Sequence, residues 1–165
     1  MGSREYRNAE VVVHWDAIRC IHTGICTRGL PGVFDVTRRP WIDVDAATAD
    51  HIAAVVEQCP TGALRYDRLD EGPQEQAPAV TTIVPMRNGP LYVRGTLQVT
   101  DTDGTAPKTE TRVALCRCGA SANPPFCDNS HRAVGFRAEA VRDEEPHSPA
   151  LSPEEICERQ TFEAT

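Results

Sequence analysis

Cys116-Arg-Cys118-Gly-Ala-Ser-Ala-Asn-Pro-Pro-Phe-Cys127-Asp-Asn-Ser-His131 sets three thiols and an imidazole at intervals of 2, 9 and 4 residues. Four soft or borderline ligands in so short a stretch make a complete ligand set. Three thiolates and one imidazole suit a tetrahedral zinc, or two irons bridged by two sulfides with the ligands split in pairs. Zinc sites usually open C-x2-4-C, so that the amides of a turn face both sulfurs. The C-x-C here instead places two thiolates close together on an extended backbone. Adjacent prolines and an Asp-Asn pair make the stretch loop-like, and such a loop needs something to order it.

The rest of the chain makes a metal centre the expected source of that order. At 165 residues there is room for one ordinary domain or two small ones, and 5% aromatic residues with 13 Pro and 11 Gly leave few stretches for a large apolar core. Small domains of this kind are held by disulfides, a metal or oligomerisation, so the seven cysteines carry the weight of the reading. No apolar run approaches the roughly 20 residues of a bilayer span. Met1-Gly-Ser-Arg-Glu-Tyr6 has neither the h-region of a secretory signal nor the Ser or Thr of a myristoylation site. The expectation is a cytoplasmic protein off the membrane, its clustered thiols serving as metal ligands rather than disulfides. Net charge is -7, with -2 over residues 1–70 and -5 over 71–165. No basic face for nucleic acid is implied, and solubility accounts for the sign.

A polar, Pro-bearing stretch at 70–79 reads as a linker between a domain over 1–69 and another over 80–140, with 141–165 as a flexible tail. Before the linker, Glu10 to His14 reads as a strand. Thr48 to Gln58 reads as a helix, because Ile52, Val55, Val56 and Cys59 follow the i, i+3, i+4, i+7 stripe before Pro60 and Gly62 stop it. After it, Val80–Val84, Leu91–Thr100 and Thr109–Leu115 read as strands joined by turns at Asn88-Gly89-Pro90 and 101–104.

The three N-terminal cysteines form a second set. Cys20 and Cys26 flank Ile-His-Thr-Gly-Ile, and Cys59 precedes Pro60 at the helix end. A bacterial ferredoxin run is C-x2-C-x2-C with a remote Cys-Pro; here Thr23 holds the middle position. Three thiolates leave one corner of a cubane without a protein sulfur. The options are [3Fe-4S], or [4Fe-4S] whose fourth iron takes another ligand, for which His22 is the nearby nitrogen. Buried thiols that merely pack are the bland alternative. Trp15 and Trp41 read as core of a small domain rather than an electron path, and Cys157 as a free thiol in the tail.

Residues 116–131 resemble the CDGSH iron-sulfur family, whose motif is C-x-C-x2-(S/T)-x3-P-x-C-D-G-(S/A/T)-H. Ser121, Pro125, Cys127, Asp128, Ser130 and His131 fall in place, and Asn88-Gly-Pro-Leu-Tyr-Val-Arg-Gly95 is similar to the family's bacterial lead-in. Asn129 replaces the motif's Gly, a minor departure if that backbone needs a positive φ, since Asn tolerates it best after Gly. The resemblance implies one [2Fe-2S] cluster, with Cys116 and Cys118 on one iron and Cys127 and His131 on the other, and an intertwined homodimer through this domain. Residues 14–66, with His14-Trp-Asp, Arg19 to Cys26, Gly29-Leu-Pro-Gly-Val-Phe-Asp, Arg39-Pro-Trp-Ile and Cys59-Pro-Thr-Gly-Ala-Leu-Arg-Tyr66, resemble the divergent 4Fe-4S mono-cluster family, whose pattern likewise lacks the middle cysteine.

The expected architecture is α+β: a small ferredoxin-like domain, then a β-rich CDGSH domain. The expected function is electron transfer by a soluble two-cluster iron-sulfur protein with a redox partner protein, not an enzyme, as no nucleophile-base pair, phosphate loop or convergent carboxylate pair is visible. A cluster donor to an apo acceptor, or a redox or iron sensor, is the alternative. A zinc-binding interaction module is the third reading.

Overall fold

Three consecutive valines, Val11-Val-Val13, open the strand that centres the N-terminal half in the computed structural model, which describes residues 3–100 and 108–138. Strand β2 (Val11–Trp15) lies between β1 (Arg4–Arg7) and β3 (Leu64–Arg68) in an antiparallel sheet of order β1-β2-β3. Val13 pairs with Tyr66 and Trp15 with Leu64. Val11, Val13, Leu64 and Tyr66 thereby meet the helices on one buried face. β3 alternates as a half-covered strand requires, whereas in the central β2 Val12 is buried as well.

The predicted helix is α2 (Ala49–Val56), preceded by the short α1 (Ile25–Gly29). Thr48 caps α2 by accepting from the His51 amide, as a hydroxyl at that position does for an otherwise orphaned donor. Ile52 and Val56 are fully buried, each stabilising the half by roughly 1.5–3 kcal/mol. Gly62 then turns the chain at φ +64°, where a Cβ would stand 2.6 Å from the Arg112 carbonyl oxygen. The close approach and the left-handed backbone both call for glycine there.

The C-terminal half is a second antiparallel sheet, β4 (Thr82–Pro85), β5 (Leu91–Val99) and β6 (Lys108–Leu115), in that order. A bulge separates Arg94 from Leu97. Beyond β6 the chain is irregular up to α3 (Ser130–Ala133). The architecture is therefore two three-stranded antiparallel sheets with three short helices among the described residues. The predicted turn at 101–104 and the whole tail over 141–165, with Cys157, lie outside those residues. No helix among them is long and apolar enough to cross a membrane.

Segment 70–79 lacks regular structure, as predicted, yet it is not a bare tether. Gln74 donates to the Arg68 carbonyl at 2.8 Å and accepts from the Arg68 amide at 3.0 Å. Glu75 pairs with Arg112 at 2.7 Å and bonds the Thr111 hydroxyl. Adjacent residues at the middle of the segment are thus fastened one to each sheet.

Buried charges lock the halves further. Glu110, Arg112 and Ala114 alternate along β6 and are all buried. Arg19 reaches Glu110 at 2.7 Å and donates to the Thr61 carbonyl at 2.7 Å. Arg112 donates to the carbonyls of Cys59 and Leu64, each at 3.0 Å. Beside it, Arg94 of β5 donates to the Glu57 carbonyl at 3.1 Å. One face of the second sheet thus grips the end of α2 and the start of β3.

Candidate metal centres

The 116–131 loop is ordered by its own polar residues. Ser121 donates to the Phe126 carbonyl at 2.7 Å and accepts from the Asn123 amide at 3.1 Å. Asp128 accepts from the amides of Ala122 at 2.8 Å and Ser130 at 2.9 Å. Its side-chain and backbone bonds at Ser130, then the Ala122 amide, hold its pKa at about 2. It therefore stays ionised, and keeps the loop folded, through any mildly acidic range. The backbone of Cys116 and Cys127 is tied to the sheet end, through Pro125 and Ala114, by bonds of 2.8 Å each.

Within that frame the ligands stand in pairs. The sulfurs of Cys116 and Cys118 are 3.6 Å apart, and Cys127 Sγ lies 3.5 Å from His131 Nδ1. Burial alone would raise the Cys116 thiol, but the amides of Ser121, Gly119 and Cys118, with the Cys118 thiol, bring it below its ordinary value. Amides do face a sulfur here, then, contrary to the picture of C-x-C as plain extended backbone. Cys127 is pushed up by burial first, with the charges on Cys116, Asp128 and Cys118 adding to it against the Asn129 amide. Burial and the neighbouring Arg132 lower His131, so its imidazole is neutral at pH 7 with a lone pair to offer.

Asn129 takes the left-handed conformation, φ 75°, as its place in the motif suggested. Its side chain does something the sequence did not announce: Nδ2 donates to the Ile21 carbonyl at 2.7 Å, across to the N-terminal half. The departure from Gly is thus more than a tolerated substitution.

Cys20, Cys26 and Cys59 line a cavity of about 740 Å³, together with His22, Trp15 and Trp41. The Cys26 thiol is raised chiefly by burial, with the charges on Cys59 and Cys20 adding to the rise. His22 adopts φ 55° beside them, and Thr23 uses its carbonyl to accept from Arg28. The indoles of Trp15 and Trp41 pack edge to face at 5.1 Å, and both pack against the core, as expected. Each has a buried Nε1–H without an acceptor among the described residues. The donor set fits an iron-sulfur cluster, since three thiols that can give thiolates line one chamber.

Comparison with known proteins agrees with both halves. Residues 6–69 match the model of the divergent 4Fe-4S mono-cluster family, and residues 88–132 match that of the CDGSH type of iron-binding zinc finger. The chain is 35% identical over 65 residues to the uncharacterized protein YjdI of Escherichia coli K12, and equally to that of Escherichia coli O157:H7. The alignment takes in 39% of this chain and 86% of each relative.

Proposed function

Since the chain belongs to the divergent 4Fe-4S mono-cluster family through residues 6–69 and carries a CDGSH domain behind it, we propose that it is a two-cluster electron carrier. In this reading Cys116, Cys118, Cys127 and His131 hold [2Fe-2S], while Cys20, Cys26 and Cys59 hold [3Fe-4S] or [4Fe-4S] within a reduced ferredoxin-like domain. Such clusters supply one-electron redox chemistry. The chain's own part is to hold the sulfurs, shield them, and present a route for the electron to a partner protein. It acts without chemistry of its own on a substrate.

The observation that carries this reading is the shared wall between the ligand sets. Ile21, next to Cys20, is buried against Ala114 and Cys127. For the C-terminal site, the two-and-two grouping supports paired ligands on two irons.

Electron paramagnetic resonance before and after reduction tests it. Separate signals from an oxidised [3Fe-4S] or reduced [4Fe-4S] and from a reduced [2Fe-2S] are expected, whereas a colourless, zinc-replete protein would end the proposal. His131→Cys refines the assignment. A thiolate adds negative charge where a neutral imidazole stood, so the [2Fe-2S] potential should fall, its pH dependence flatten and cluster loss in acid slow. A pH dependence equal to that of the parent would remove His131 from the proton-linked role. Loss of colour at mild acidity with recovery on an apo acceptor would instead favour the donor reading.

The carrier is taken as a homodimer through the CDGSH half, where β4 is an edge strand with Ile83 and Val84 exposed. Such an edge invites pairing. Sedimentation equilibrium should return twice the chain mass, and a monomer at all concentrations would exclude the dimer.

A further inference from the structure

Both ligand loops end on the same few side chains. From the N-terminal side, Ile21 leaves the Cys20 loop and is buried against Cys127 and Ala114. From the C-terminal side, Asn129, two residues beyond Cys127, donates from Nδ2 to the Ile21 carbonyl at 2.7 Å. Tyr92 of β5, directly across from Ala114, packs against the same cluster.

The cost of this arrangement is visible at Asn129. Its Oδ1 is buried without a partner, and glycine would satisfy the left-handed backbone with no such orphan. An asparagine that gives up solvation on one atom to make a single bond across the junction is retained by the geometry of that bond rather than by loop conformation. Nothing else in the CDGSH loop reaches the N-terminal ligand loop by a side-chain hydrogen bond among the described residues.

We propose that Asn129 is a positioning residue that fastens the CDGSH ligand loop to the Cys20–Cys26 loop, holding the two cluster sites at one fixed separation across Ile21 and Tyr92. The coupling is internal to the chain. With clusters bound, one electron would leave the reduced site and be gained by the oxidised one, the linked proton being exchanged at His131. This rests on the two-cluster reading above, and makes the second sheet a holder of the relay rather than a separate module.

Asn129→Gly in the full, cluster-loaded protein is the test. Glycine keeps the φ of 75° and loses only the side chain, so iron and sulfide per chain should equal those of the parent. Magnetic coupling between the two reduced clusters should weaken or spread into a distribution, and electron exchange between them after rapid one-electron reduction should slow about tenfold or more. Amide exchange through residues 20–26 should quicken in the same variant, a readout that needs no cluster chemistry. Asn129→Asp, with the donor replaced by an acceptor facing the Ile21 carbonyl, should behave likewise. Full clusters with unchanged coupling, exchange rate and amide protection in both variants would overturn the proposal while leaving the carrier intact. A parent protein without clusters would overturn both.

Discussion

Glu110→Ala is expected to loosen the junction between the two sheets and to lower the unfolding free energy by about 3–5 kcal/mol, the usual loss when one partner of a buried ion pair is removed. The side chains of Arg19 and Glu110 are 7% and 2% exposed, so water cannot take the carboxylate's place. Arg19 retains its bond to the Thr61 carbonyl and its seat 4.5 Å from the Phe126 ring centroid. It would nonetheless hold a buried charge without its counter-ion, and its Nε already lacks a partner. Arg65, 3.7 Å from the same carboxylate, would lose its partner too. Against a typical total stability of about 5–15 kcal/mol, such a loss is large enough to split unfolding into two steps.

The measurement is chemical unfolding followed by far-ultraviolet circular dichroism and by the visible cluster bands. A midpoint shift together with separation of the two signals is expected for Glu110→Ala. The joint replacement Arg19→Met with Glu110→Leu should recover most of the stability, because matched apolar groups remove both charges at once. A single-variant loss under about 1 kcal/mol would mean that the pair is screened like an ordinary surface bridge, and the junction would then be held by Arg112, Glu75, Arg94 and Asn129.

Legibility in the sequence followed the strength of the local pattern. The Val11 run, the Ile52, Val55, Val56 stripe and the runs expected at 91–100 and 109–115 carry their periods openly, and each is the expected element within a few residues. β1 was not legible: Arg4-Glu-Tyr-Arg7 is a charged edge strand whose only claim to strand structure is its pairing with β2. β3 does alternate, with Leu64, Tyr66 and Arg68 buried between less buried residues, but it was read as part of a cysteine motif and not as a strand.

The same division runs through the sites. Ligand spacing is a local property, and the structure pairs Cys116 with Cys118 and Cys127 with His131, while Cys20, Cys26 and Cys59 line one cavity. The junction depends on residues distant in sequence whose role appears only on packing. Asn129 was read for its backbone alone, because a positive φ follows from the motif and a bond to Ile21 does not. The alternation Glu110, Arg112, Ala114 was the one available hint, since charges on the same strand face as an alanine suggest a buried polar seam. Gln74 and Glu75 gave no such hint in a stretch whose composition fits an ordinary linker.

Cys59→Ser is expected to empty the N-terminal site almost completely while sparing [2Fe-2S]. Loss of even an outer partner of a metal ligand commonly costs 10–100-fold in affinity, and here one of only three protein sulfurs is removed. The exchange is nearly isosteric, so the Cys59 backbone can still receive Arg112 on its carbonyl, and its hydroxyl can still meet Thr61 Oγ1, now 3.5 Å from the sulfur. The junction should therefore survive the loss of the cluster. What should not survive is the stability that the cluster lends the half around it. Cys26 is raised by burial and by the other two sulfurs, so its thiol binds metal only by releasing a proton. Metal affinity and folding free energy are then one quantity. Iron per chain should fall by the N-terminal share, the paramagnetic signal of that site should vanish, and the N-terminal half should melt at the temperature of chelator-treated parent protein. Retention of the full iron content by Cys59→Ser would show that this sulfur is no ligand, and that the chamber holds its cluster, if any, by another set.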